Sequence, residues 1–145
     1  MATAERKDPF NNFNFHVEIG GISRAAFHEC SGLDSTIDII EHREGGKNET
    51  LHKLPGQTKY SNIVLKRGIT DDRALYDWHF RAINGALERV TGSIVLYDRQ
   101  GTEVARWNFE QAWPCKWTGP SLSAEGNDVA IEQLDLAHEG INRVK

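Results

Sequence analysis

The chain is poor in the features that announce chemistry. It holds two cysteines, Cys30 and Cys115, far apart and neither in a CxxC pair. That leaves two readings, reduced and partly buried thiols or one long-range disulfide, with the thiols the simpler. No apolar run approaches the ~18 residues of a membrane-spanning helix, and MATAERKDPF lacks the apolar core of a signal peptide. Folding in the cytoplasm is expected, with no integral membrane association. No long basic run is present and the net charge is −4, which argues against tightly held nucleic acid. GxSxG, P-loop and GxGxxG motifs are absent. Six histidines stand at 16, 28, 42, 52, 79 and 138, none at HxH or HxxxH spacing and none beside a cysteine in sequence. The chain thus offers no catalytic, cofactor or metal residues to nominate, and a non-enzymatic role is expected.

What is present is a single helix amid strands. The stretch Thr70–Gly85 carries Leu75, Tyr76, Trp78, Phe80, Ala82 and Ile83 over about half of a helical wheel. Thr70 stands where a cap is wanted, Asp71 and Asp72 suit the positive helix end, and Gly85 suits a left-handed stop. Asp77 and Arg81 have the spacing of an ion pair. So broad an apolar face requires a sheet to cover.

Strands fill the remainder. Phe13, Phe15, Val17 and Ile19 alternate with polar residues, and Gly20-Gly21 reads as a hairpin turn leading into a strand at Ile22–Glu29. Cys30-Ser31-Gly32-Leu33 marks a bend before a strand at Ser35–His42. Lys59–Arg67, Ser93–Tyr97, Val104–Phe109 and Asp128–His138 follow, with a turn at Asp98–Gly101. Trp113-Pro114 and Thr118-Gly119-Pro120 read as a turn-rich crossing. Trp107, Trp113 and Trp117 suit either core packing or an exposed platform for a ligand. The expected fold is mainly β, a small antiparallel barrel or sandwich with one helix packed against it. Residues 1–9 read as a flexible arm ahead of a single domain at 10–145.

One feature points to assembly, and one segment stands apart as a place for contacts if the chain assembles. Ile37, Ile39 and Ile40 place apolar side chains on both faces of one strand, as does Asp128–His138, which requires both faces to be covered. The polar segment His42–Thr58 is long for a connection in a compact domain, so it is either functional or disordered. Within it, His42, Arg43, Glu44, Gly45, Gly46, Lys47, Asn48 and Glu49 are the candidate interface residues, their alternating charges suited to polar contacts.

Several blocks together resemble a known family. They are Phe15–Ile19, Phe27 with Cys30-Ser31-Gly32-Leu33-Asp34, Ile39–Gly46, Lys53-Leu54-Pro55-Gly56, Leu65–Gly68, Leu75-Tyr76-Asp77-Trp78 and Ile131–Glu139. In order and spacing they resemble the tail tube proteins of contractile phages and phage-tail-like injection particles. The resemblance implies a barrel of the type VI secretion tube kind, homohexameric rings, and stacking into a hollow tube without cofactor or catalysis. It further implies a contractile sheath, a baseplate or initiator, a terminator, and cargo protein or DNA in the lumen. The particle would be a phage tail or a released or envelope-associated injection device. The contrasting reading from the residues alone is a monomeric ligand-binding barrel with the tryptophans as its site.

Overall fold

The computed structural model describes residues 8–11, 14–43 and 51–145. Ten strands and one helix are present among them: β1 (Phe15–Ile19), β2 (Ser23–Ala25), β3 (Glu29–Ser31), β4 (Ser35–His42), β5 (His52–Tyr60), β6 (Ile63–Gly68), α1 (Ala74–Ile83), β7 (Val90–Tyr97), β8 (Glu103–Thr118), β9 (Ile131–Ala137) and β10 (Gly140–Arg143). Eight strands make one antiparallel sheet in the order β2-β1-β7-β8-β9-β6-β3, with β10 added on β8. The remaining two, β4 and β5, pair only with each other.

The sheet curls round one core, which takes Val17 and Ile19 from β1, Ile63 and Leu65 from β6, Ile94 from β7, Phe109 from β8, and Leu134 and Leu136 from β9. Alternation along each strand supplies these inward residues. Gly92 stands opposite Phe109, and a Cβ there would lie 2.3 Å from the Phe109 ring and 2.5 Å from the Glu18 carbonyl oxygen. Only glycine lets that ring cross the strand.

Strand β8 joins the two halves of the sheet. Its first part pairs with β7 on one side and β10 on the other, and its last part pairs with β9. Between the parts Gln111 adopts φ 53°, the one left-handed non-glycine conformation among the described residues. The turn expected at Trp113-Pro114 is therefore continuous strand. Pro114 is buried opposite Leu136, and the register shift that follows it accommodates the missing N–H. The break expected at Thr118-Gly119-Pro120 does end the strand.

The helix is shorter than the pattern predicted. Thr70 does not cap it: its hydroxyl accepts from the Asp72 N–H (3.2 Å), while Asp72 accepts from the Ala74 N–H (2.9 Å). At the other end Gly85 has φ +89°, with Gly85 N–H donating to Ala82 and Ala86 N–H to Arg81. That is the Schellman stop the glycine suggested. Leu75 and Trp78 are buried, and the Trp78 indole donates to the Glu88 carbonyl (2.9 Å). Phe80 and Ile83 are 50% and 66% exposed, so the apolar arc is only half used within the subunit. Asp77 pairs with Arg73 rather than Arg81, which reaches Glu88 instead.

A buried ion pair ties the helix approach to the sheet. Arg67 Nε donates to Glu132 Oε1 at 2.6 Å, both side chains nearly excluded from water. Trp117 Nε1 donates to the other Glu132 oxygen (3.2 Å), and Arg67 Nη2 donates to the Asp72 carbonyl (3.2 Å). One carboxylate thus bridges β6, β8 and β9.

Candidate assembly interface

Strand β4 has the bounds its alternation predicted, but half of the expected long loop is strand. His52–Thr58 belongs to β5, and β4 and β5 form a hairpin from Ser35↔Tyr60 to His42↔His52. Lys59–Arg67 is likewise two strands, β5 and β6, broken at residues 61–62. Of the nominated residues, His42 and Arg43 are exposed at the far end of this hairpin. Glu44, Gly45, Gly46, Lys47, Asn48 and Glu49 lie outside the described residues, as do 1–7 of the proposed N-terminal arm.

The hairpin is an arm with two apolar faces. Ile37 and Ile39 share one face of β4, and Ile40 lies on the other beside Leu54 of β5. Ile37, Ile39, Ile40 and Leu54 are all exposed, Ile39 the most at 64%. Two register positions of β5, 56 and 57, stand against Asp38 alone, a bulge that twists the arm midway. Asp38 also holds Lys59 at 2.9 Å, an exposed pair of small energetic weight. A two-stranded ribbon is at best marginally stable alone, and its exposed isoleucines make it a candidate surface for a partner. The strongest sequence signal for this was isoleucine on both strand faces, more than the charged loop.

The arm is anchored at its base. Ser61 N–H donates to the Asp34 carbonyl (3.3 Å), and His138 Nε2 donates to the Ser61 carbonyl (2.9 Å). The Tyr60 and His138 rings pack 5.6 Å apart. Gly32, at φ +85°, lies so close to the Asn62 carbonyl that no Cβ fits.

Elsewhere the described residues offer little for catalysis. They hold no cluster of three or more potential metal ligands. Both cysteines are free. Burial pushes the Cys30 thiol up to about 12. Cys115 is raised too, by burial first and then by nearby Asp135. Neither is poised as a thiolate nucleophile. Trp107 and Trp117 pack against the core, Trp117 beneath Tyr76 (ring centroids 4.9 Å), so two of the three tryptophans serve packing. On the outer sheet face Arg106 grips Glu103 through Nε and Nη2 (3.1 and 2.7 Å), with Glu18 at 3.8 Å.

Comparison with known proteins fits this geometry. The family model described as T4-like virus tail tube protein gp19 matches residues 11–142. A chain of the anti-feeding prophage baseplate, 6-fold symmetrised, shares 26% identity over 96% of this chain and 97% of its own, with a TM-score of 0.87. A chain of the sheath-tube complex of the extracellular contractile injection system PVC, in the extended state, is 32% identical over 93% and 90%, with a TM-score of 0.81. Hcp1 from Flavobacterium johnsoniae has the same fold at 15% identity, covering 90% and 94%, TM-score 0.57. No curated protein sequence matches this chain. The chain belongs to the T4-like virus tail tube protein gp19 family.

Proposed function

We propose that this chain builds the hollow inner tube of a contractile injection apparatus as homohexameric rings, which stack inside a sheath. The observation that carries the assembly reading is the β4–β5 arm, whose isoleucines on both faces are exposed among the described residues. Burying an isoleucine is worth roughly 1.5–3 kcal/mol, so a neighbouring copy that covers three of them gains several kcal/mol per arm. An arm on each subunit and a different receiving surface on the next is the heterologous arrangement that closes rings or extends stacks. Residues 42–49, which run on from the end of β4 in the chain, are the proposed contact to a neighbouring subunit or ring. The sheath protein and the baseplate and terminator components are the further partners, supported by the complexes in which similar chains occur. Cargo, protein or DNA, would pass through the bore. The protein's work is structural, without catalysis, and its place is within a tail or injection particle.

The test separates arm from body. Ile39→Asp and Ile40→Asp, singly and together, should leave a soluble folded subunit but remove rings and tubes in negative-stain microscopy of reconstituted particles. Deleting residues 44–49 should do the same. Tubes of normal length and number from all four variants would refute the arm's role. Disrupting the gene should leave cells without full-length particles, and intact injecting particles in its absence would refute the tube reading itself.

A further inference from the structure

The sequence separates His42 and His52 by a spacing that suggests no metal motif, yet the fold places them directly opposite each other on β4 and β5. Directly opposed residues on antiparallel strands share a face with their Cβ atoms about 4.5–5.5 Å apart. Both histidines are exposed, so their rings are free to turn. Two imidazoles so placed can reach one ion at the usual metal–nitrogen distance of about 2.0–2.1 Å. The next pair on that face is Ile40 with Leu54, whereas Glu41 and Lys53 lie on the opposite face. The lysine ammonium is therefore directed away from the candidate site. Three of the other four histidines are differently engaged: His16 packs edge-on against Tyr97, His79 bonds the Pro114 carbonyl, and His138 bonds that of Ser61.

We propose that His42 and His52 form a two-imidazole chelate for a divalent transition ion, of the nickel, copper or zinc class that favours imidazole. Water fills the remaining coordination positions. The ion would staple β4 to β5 where the paired part of the arm ends. Because only the paired hairpin presents both nitrogens to one ion, binding stabilises the arm against opening. The inference rests on the register of the hairpin and is independent of tube assembly.

The test is calorimetric titration of the tag-free full chain with nickel chloride and with zinc chloride. One ion per chain is expected. His42→Asn and His52→Asn should each weaken binding about a hundredfold, since the second nitrogen binds at the high effective concentration set by the first. His16→Asn should leave it unchanged. Both substitutions are at exposed positions, and circular dichroism checks that the variants fold. Absence of saturable uptake, undiminished affinity in either variant, or half an ion per chain would overturn the chelate. Limited proteolysis between residues 43 and 51 supplies the second readout. Nickel should slow cleavage in the parent chain and not in the variants; unchanged cleavage in the metal-bound parent would overturn the staple.

Discussion

The Arg67–Glu132 pair allows a sharp prediction, because two groups, the Arg67 guanidinium and the Trp117 indole, depend on one buried carboxylate. Glu132→Leu removes the acceptor of the 2.6 Å bond from Arg67 and of the Trp117 indole N–H. The guanidinium stays in place, 7% exposed, with Asp72 as its remaining anchor. Stranding one member of a buried pair costs about 3–5 kcal/mol. The unpaired indole adds about 1 kcal/mol or more. For a chain of this length that corresponds to a fall of roughly 10 °C or more in Tm. Arg67→Met alone should cost a comparable amount, since it strands the carboxylate and frees Asp72 at the start of the helix. The double variant Arg67→Met with Glu132→Leu should recover most of the loss, because a well-packed apolar replacement needs no desolvated charge. Urea unfolding of the dispersed subunit, monitored by tryptophan fluorescence, measures all three. Single variants within about 0.5 kcal/mol of the parent, or strictly additive losses, would refute the claim that the two charges are coupled.

Two further outcomes follow from local geometry. Gly92→Ala drives a methyl into the Phe109 ring and the Glu18 carbonyl, so it should cost about 1–3 kcal/mol in the same unfolding assay; a neutral result would show that the strand yields there. The hydrogen bond from Arg106, more than its charge alone, holds the Glu103 carboxyl below its ordinary 4.5. Its folded pKa lies under its unfolded one, so the contribution is present above the ordinary carboxylate range and is lost as pH falls through the lowered value. Carbon-detected NMR titration should show a depressed midpoint for Glu103 that rises in Arg106→Gln, and an unchanged midpoint would contradict the assignment.

The parts of the fold that the sequence made legible are those set by local periodicity. Leu75 and Trp78 mark the buried helix face, and the alternation through Ser35–His42 marks β4 to the residue. What was hidden depends on partners distant in the chain. Asp72 rather than Thr70 closes the helix start, and the Asp72 side chain and carbonyl are held there by Arg67 on β6. His52–Thr58 looks like loop because Pro55, Gly56 and polar residues dominate it; pairing with β4 makes it strand. Trp113-Pro114 looks like a turn because proline rarely continues a strand, but a register shift beside it absorbs the defect. The four residues of β10 carry too little pattern to be seen. Glu132 alternates in step with Leu134 and Leu136 on β9 and is buried with them, but the sequence read both faces of that strand as apolar, and the reason for a buried carboxylate there, Arg67, stands 65 positions away. Ile83 shows the converse error: its place on the wheel suggested burial, and the helix presents it to solvent.

The path of β8 has a mechanical consequence. A subunit made of two sheets held face to face can slide or shear along the seam between them. Here one covalent strand crosses that seam at Gln111, clamped by β7 and β10 before the crossing and by β9 after it. Force applied across the subunit is carried by peptide bonds at that point. Separation of the halves must first peel a neighbouring strand from β8, which breaks hydrogen bonds in series along its length. The strand acts as a tie-rod between the halves, so its pairing resists their separation alongside the packing of the core.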